Sequence, residues 1–389
     1  MANTPAEIAE KAIALHRKHR GKLSIESRMP LNTVEDLSLA YTPGVGHVSS
    51  AVAANPELAY ELTGRGRTVA VVSDGSAVLG LGNLGPLGAM PVMEGKAVLF
   101  KELANIDAWP ICISAHEPEE IIMVVRSLAP TFGGINLEDI AAPKCFVIEE
   151  ALQDLGIPVF HDDQHGTAVV VLAAMINALK VVNKEFHDIK VVFSGAGASG
   201  IACAKILQVM GVENIILVDT RGAIYKGRND LTPVKEEISM STNPENVHGN
   251  IHEAIKGADV FIGLSTADLL TAKDIRTMNK DAIVLAMANP MPEISPEEAR
   301  KGGAVIVGTG RSDLPNQINN VLAFPGILRG ALDVRADRIT TRMKIAAGHA
   351  IAALVDEPTP EEIIPYPLNE AVVPAVSKAV GDAWNSETD

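Results

Sequence analysis

Apolar residues in this chain follow two alternating rhythms. Short runs rich in valine and isoleucine stand at Thr68 to Ser73, Pro110 to Ser114, Pro158 to Phe160, Val191 to Phe193, Ile215 to Val218, Val260 to Leu264, Ile283 to Met287 and Val305 to Val307. Runs of that length and composition predict strands buried on both faces. Between them apolar residues recur at helical spacing: Ile8, Ala12 and Leu15 within Ala6 to Lys22; Ala97, Leu99, Phe100 and Leu103 after Pro91; Glu117 to Leu128; Ala168 to Leu179; and Ile201, Ala204, Ile206, Leu207 and Met210. Cys145 to Glu149 fits a strand or a short helix. A helix opening at Pro91 puts Lys96 near its start, where the dipole disfavours a cation. From Lys190 onward strand and helix alternate, which predicts a parallel sheet with right-handed crossovers.

One unit of that alternation carries chemistry. The strand Val191 to Phe193 runs into Gly195, Ala196, Gly197, Ala198, Ser199 and Gly200, a G-x-G-x-x-G at the start of a helix. A second strand follows and ends on Asp219, 24 residues after Gly195. That is the dinucleotide-binding βαβ arrangement of a Rossmann-type sheet. Gly195 permits the tight turn, Gly197 admits the pyrophosphate and Gly200 lets helix approach strand. The pyrophosphate then lies on free N–H groups at the positive helix end. Asp219 is placed for the adenosine ribose hydroxyls. Its charge repels a 2′-phosphate and favours NAD, whereas Thr220 and Arg221 directly after it could hold that phosphate, which keeps NADP as the alternative. Ser265 with Thr266, and Asn289 with Pro290, fall at carboxyl ends of later strands, where ligands of such sheets lie.

The expected fold class is therefore α/β with two domains. Residues 1–164 form an N-terminal α/β domain, 165–325 the doubly wound NAD(P)-binding domain, and 326–389 are C-terminal helices packing back on the first domain or on a partner subunit. A length of 389 residues is long for one core. Hydrophobic residues make up 47% and charged residues 21%, the proportions of a globular protein with a large core. The net charge of −15, with scattered cations, speaks against nucleic acid. No signal pattern opens the chain, and the most apolar stretch, Ala168 to Leu179, is interrupted by Asn177 and then meets Lys180, so it reads as a buried helix rather than a membrane span. Cys112, Cys145 and Cys203 are far apart and without metal spacing, as expected of buried thiols in the cytoplasm.

The first half holds an acidic cluster. Glu138 and Asp139 follow one strand, Asp162 and Asp163 another, and four such groups repel one another unless solvated or bound to a cation. Oxygen ligands suit Mg²⁺ or Mn²⁺. Adjacent carboxylates after a strand point to opposite faces, so only one of Glu138 and Asp139 should face a given site directly. His161 and His165 have the i, i+4 spacing of zinc hydrolases, but Gly166 suggests that the helix begins only after them, and that reading is set aside. A second G-x-G-x-x-G (Gly80, Gly82, Gly85) lacks the strand, helix and acid sequel; its glycines bring backbone close to another segment or to substrate. Tyr41 lies on a turn-rich loop.

Together these residues resemble the malic enzymes in their short prokaryotic form, from about Leu39 to Ile327. The matching motifs are Tyr41-Thr42-Pro43-Gly44-Val45, the loop Leu79 to Gly85, Gly95-Lys96, Leu137-Glu138-Asp139, Phe160 to Ala168, Ala288-Asn289-Pro290 and Asn319-Asn320-Val321. The resemblance implies metal-dependent oxidative decarboxylation of malate to pyruvate by a homodimer or larger homo-oligomer. It implies that Glu138, Asp139 and Asp163 ligate the cation, that Lys96 is the general base assisted by Asp162, and that Tyr41 is the general acid. Asn289, Asn319 and Asn320 would hold malate. One departure is Ala77, which stands where the larger malic enzymes carry a carboxylate-binding arginine. The rivals are an amino-acid dehydrogenase, whose activity would survive chelation, and a non-catalytic NAD sensor.

Overall fold

The computed structural model describes residues 5–78 and 80–388. Leu79, the first residue of the glycine-rich loop motif, lies outside the described residues.

The strand runs assemble into two sheets. The first contains β1 (Thr68–Ser73), β2 (Asp107–Cys112), β3 (Gly134–Leu137) and β4 (Val159–His161), all parallel, in the order β2-β1-β3-β4. Strand β2 begins earlier than its apolar run, and Pro110 is tolerated because β2 is an edge strand. The second sheet contains β5 (Lys190–Ser194), β6 (Asn214–Asp219), β7 (Gly222–Ala223), β8 (Val260–Gly263), β9 (Ile283–Ala286) and β10 (Ile306–Thr309) in the order β10-β9-β8-β5-β6-β7. Only the pairing of β7 with β6 is antiparallel. Counted from β5, this is the 3-2-1-4-5-6 order of dinucleotide-binding sheets, and its direction reverses between β5 and β8, where the crevice opens.

The helix Asp162–Val182 joins the two sheets. Every residue from Ala168 to Leu179 is buried. It packs on the helices Ala198–Val209 and Thr341–Ala352. Length and composition alone would let it cross a membrane, but 72% of its apolar window is buried inside the protein. The helix begins at Asp162 and contains Gly166, earlier than the glycine suggested. Two acids in its first turn suit the dipole, and Glu149 accepts the N–H of His161 just before it. The C-terminal helices Phe324–Asp333, Thr341–Ala352 and Val372–Thr388 pack together, and the first returns to the helix Gly85–Ala104, where Phe324 and Phe100 meet edge to face at 4.8 Å.

That helix also starts earlier than its apolar pattern suggests. Asn83 Oδ1 accepts the N–H of Gly85, Pro86 follows at the first turn, and Pro91 is inside the helix. Lys96 therefore lies in the helix interior, away from the unfavourable positive end. The N-terminal segment is the opposite of these cores. It forms the helices Pro5–His19, Val34–Ala40 and Gly44–Ala54, yet no residue from Glu7 to Thr68 is buried.

Candidate active site

The ends of β3 and β4 and the helix Gly85–Ala104 converge on a buried pocket. Lys96 projects into it and is only 8% exposed. Its Nζ donates to Glu138 Oε1 at 2.9 Å and to Asp162 Oδ2 at 2.5 Å, and lies 3.9 Å from the centroid of the Phe324 ring. Burial alone would push the ammonium toward neutrality, but Asp162 and Glu138 outweigh it and hold Lys96 above its ordinary range. The two adjacent carboxylates together decide the direction. Burial, with Glu138 and Asp163 close by, pushes Asp162 up to about 8. Glu138 and Asp163 are raised as well, chiefly by burial.

One ligand atom each from Glu138, Asp139 and Asp163 lies within 4.8 Å of the others. Both adjacent carboxylates thus join one cluster, against the alternation expected of a strand. Asp139 has left the strand and adopts φ 53°, a left-handed turn that swings it back toward Glu138. The Asp139 N–H then donates to Asp163 Oδ2 at 2.9 Å and locks the turn after β3 to the helix start after β4. Three converging carboxylate oxygens are the donor set of Mg²⁺ or Mn²⁺. The two histidines do not act as a pair: His165 Nε2 is bound to Glu149 at 2.9 Å and its Nδ1 faces Lys344 Nζ at 3.1 Å, whereas the Nε2 of buried His161 lies 3.6 Å from Asp163 Oδ2. Glu149 also accepts from Gln164 at 2.8 Å. Burial opposes the charge of Glu149, but His165 and Lys344 draw its carboxyl down to about 2. Sequence reasoning missed this support, because its members come from three distant segments.

The asparagines divide. Asn320 Nδ2 donates to Asp162 Oδ2 and so belongs to the pocket. Asn319 Oδ1 caps the turn that follows it, accepting the N–H of Val321 at 3.0 Å. Asn289 sits at the end of β9 against the glycine-rich loop, where a Cβ on Gly80 would stand 2.6 Å from its carbonyl oxygen; the close approach expected of those glycines is this one. Glu293, fully buried, accepts the N–H groups of Ser265 (2.8 Å) and Ala288 (3.0 Å) and so ties together the ends of β8 and β9. Ala77 gives no cation to its loop, and the neighbouring Lys144 is paired with Asp74. Tyr41 is 67% exposed, and its side chain has no hydrogen-bond partner among the described residues.

Beside the pocket lies a cleft of about 740 Å³ lined by Gly195, Ala196, Gly197, Asp219, Thr220, Arg221, Lys235 and Ser265. Gly195 has φ 108°, and a Cβ there would stand 2.5 Å from the carbonyl oxygen of Leu264. A Cβ on Gly200 would stand 2.0 Å from that of Gly195, whereas one on Gly197 would meet nothing within 4 Å. The three glycines thus provide turn, open approach and close packing, as a bound pyrophosphate requires. Ser194 and Ser265 share a hydrogen bond of 2.5 Å at the reversal point. Asp219 is not a lone charge. Arg228 donates to both its oxygens at 2.9 and 3.0 Å, Lys235 at 2.6 Å and the Arg221 N–H at 3.0 Å. Burial opposes ionisation of Asp219, but these donors, Lys235 first, keep its carboxyl below the usual range. Arg228 and Lys235 were missed because they come from a loop and a helix with no motif. Ser199 Oγ, at the start of the dinucleotide helix, donates to the Asp163 carbonyl at 2.7 Å and joins cleft to pocket.

A dinucleotide cleft opening onto a lysine and a carboxylate cluster defines a nicotinamide-dependent oxidoreductase with room for a divalent cation. The chain matches the family models "Malic enzyme, N-terminal domain" over residues 20–117 and "Malic enzyme, NAD binding domain" over residues 164–384. It is 53% identical to the bifunctional malic/malolactic enzyme of Bacillus subtilis, over 97% of this chain and 93% of that one. It is 56% identical to the NAD-dependent malic enzyme of Geobacillus stearothermophilus, over 93% of this chain and 76% of that one. The crystal structure of the NAD-dependent malic enzyme from Thermotoga maritima superposes with a TM-score of 0.92 at 51% identity, covering 95% of this chain and 98% of that one. The chain belongs to the malic enzyme family. Both NAD- and NADP-dependent members are among its relatives.

Proposed function

We propose that Glu138, Asp139 and Asp163 hold Mg²⁺ or Mn²⁺ and that Lys96, Asp162 and Tyr41 move the protons of the family's reaction, the oxidative decarboxylation of malate to pyruvate and carbon dioxide with reduction of NAD(P). The hydrogen bond from Ser199 to Asp163 carries the proposal, since it puts the helix start bearing a cation ligand against the dinucleotide helix. A cation on these carboxylates supplies a Lewis acid for the malate hydroxyl and for the later enolate. Everything else falls to side chains of this chain.

Lys96 takes the hydroxyl proton as hydride leaves C2 for the nicotinamide. To do so its amine must be neutral, and the 2.5 Å bond to Asp162 Oδ2 supplies the route. A proton passing along that bond leaves a neutral lysine beside a protonated carboxyl with no change in net charge. With Lys96 held above its ordinary range this transfer runs uphill, and the burial that lifts Asp162 to about 8 narrows the gap. Asn320 fixes the same oxygen, and Asn289 and Asn319 orient the substrate carboxylates. Loss of carbon dioxide leaves an enolate, and Tyr41 protonates its C3. Lys96→Ala is expected to slow single-turnover hydride transfer roughly 10²- to 10⁴-fold while leaving the NAD dissociation constant nearly unchanged. A large rise in that constant with intact hydride transfer would reject the assignment.

NAD is the preferred cofactor and NADP the alternative. With Arg228 and Lys235 sharing the Asp219 charge, the repulsion of a 2′-phosphate is weaker than a bare aspartate would exert. Initial rates with each dinucleotide test the order. The buried thiols Cys145, pushed up to about 12, and Cys203, also raised, fit a reducing cytoplasm.

A further inference from the structure

The ladder between β8 and β9 ends where two ligand-facing loops begin. Its last rung is the Met287 N–H, which donates to the Gly263 carbonyl at 2.9 Å. Beyond it Ser265 to Asp268, beside the dinucleotide cleft, and Asn289 to Met291, on the proposed malate side, are exposed. Exposed loop ends past a ladder are the parts of a fold that open most readily. Reacting groups, by contrast, must be held to fractions of an ångström.

One side chain lies beneath both loops. Glu293 is 0% exposed. Its Oε1 accepts the Ser265 N–H, and its Oε2 accepts the N–H of Ala288, the residue leading into Asn289. Its main chain holds the first loop as well. The Glu293 carbonyl accepts the N–H groups of Leu269 at 2.7 Å and Leu270 at 3.0 Å, and the Pro292 carbonyl accepts that of Asp268 at 3.1 Å. Gly263 leaves room for the carboxylate, since a Cβ there would stand 2.3 Å from its carboxyl carbon. Asn289 is bounded on another side by Gly310, where a Cβ would stand 3.0 Å from its Nδ2.

A buried carboxylate is a costly way to tie two loops together. Among the described residues no cation offsets it: the groups that favour its charge are backbone N–H groups, and burial pushes the carboxyl above its usual range. A carboxylate nevertheless does what the amide of the same shape cannot. It presents two acceptors at a fixed separation and no donor, so both N–H groups are satisfied at once.

We propose that Glu293 is a positioning residue for hydride transfer: its two oxygens fix the spacing between Ser265, on the nicotinamide side, and Asn289, on the malate side. Ser265 is tied in turn to Ser194 at the reversal point of the sheet. The span from β5 to the end of β9 is thus set by one hydroxyl pair and one carboxylate. Glu293 acts through the two loop ends and not on a reacting atom. The inference rests on the placement of Asn289 at the substrate given above.

The test is Glu293→Gln in the intact enzyme. Glutamine keeps the size but offers one oxygen and turns its NH₂ group toward the second backbone N–H, which releases one loop. Malate deuterated at C2 reads the consequence. The expected result is a kcat lowered about 10- to 100-fold with a larger primary deuterium isotope effect, because hydride transfer becomes the slow step. The dissociation constants of NADH and Mn²⁺, read by fluorescence and calorimetry, and the denaturant midpoint should stay near wild type. Glu293→Asp, too short to reach both N–H groups, should show the same change. A wild-type kcat and isotope effect in Glu293→Gln overturn the proposal. A lowered kcat with an unchanged isotope effect overturns it too, as does failure of both variants to fold, since either result assigns Glu293 to the fold alone. Asn289→Ala separates the two claims. If that variant keeps the wild-type malate KM and kcat, the placement of Asn289 fails; if it is impaired while Glu293→Gln is not, only the role of Glu293 is removed.

Discussion

The acidic pocket and the dinucleotide cleft meet at one hydrogen bond, from Ser199 Oγ to the Asp163 carbonyl, but they are made of different materials. The cleft is a backbone site. Its central residues are glycines whose worth lies in atoms they lack, and its one carboxylate, Asp219, accepts four hydrogen bonds from three residues. The pocket is a side-chain site. Lys96, Glu138 and Asp162 are packed together out of solvent with Asp163 half-buried beside them, and each owes its ionisation to the others. A backbone site is damaged by adding atoms, and a buried charge site by removing one charge and stranding its neighbours.

That contrast can be broken by mutation. The largest loss is expected for Asp139→Ala. It removes a cation ligand needed by both chemical steps, so its cost should exceed the roughly 10²- to 10⁴-fold of a positioned acid such as Tyr41 lost in Tyr41→Phe. Equal losses in kcat would mean that the cation contributes no more than the acid. Next comes Gly200→Val in the cleft. The added atoms meet the Gly195 carbonyl, so dinucleotide affinity should fall steeply while Mn²⁺ binding, read by calorimetry, is retained; joint loss of both would show that the sites are not separable. The smallest effect concerns Glu149, which steadies the helix start carrying Asp162 and Asp163. Its carboxyl is lowered from 4.5 to about 2. A lowered acid contributes stability above its unfolded value, and that contribution fades as pH falls from 4.5 toward 2. Glu149→Gln should therefore be less stable than wild type at neutral pH, by roughly 3 kcal/mol at most, with the gap closing across that acid window in denaturant melts. A gap that does not change with pH would assign the loss to packing instead of charge.

The same contrast explains what could be read from the sequence. The cleft was legible because its parts are neighbours in the chain, from Gly195 to Asp219, and their spacing follows from one strand, one helix and one more strand. The four acids of the pocket were legible as a cluster suited to a cation, whereas their separate roles and that of Lys96 came only through resemblance, and their geometry was not legible. Helix periodicity set Lys96 near a helix start because Pro91 looked like an opening, whereas the helix begins at Gly85. Strand alternation separated Glu138 from Asp139, whereas the left-handed turn at Asp139 reunites them. Gly166 appeared to end one segment, but the first-turn acids and Glu149 start the helix at Asp162. The clamp of Arg228 and Lys235 on Asp219 joins residues with no periodic relation to it. The early start at Gly85 comes from the local cap of Asn83, and in the other cases a tertiary partner overrode a local preference.

The most direct test of the central claim is reduced-nicotinamide absorbance with malate and NAD, in protein stripped of metal and again after Mn²⁺ is restored. The account expects no reduction in the stripped protein and full recovery on adding Mn²⁺. Undiminished reduction in the presence of a strong chelator would contradict it.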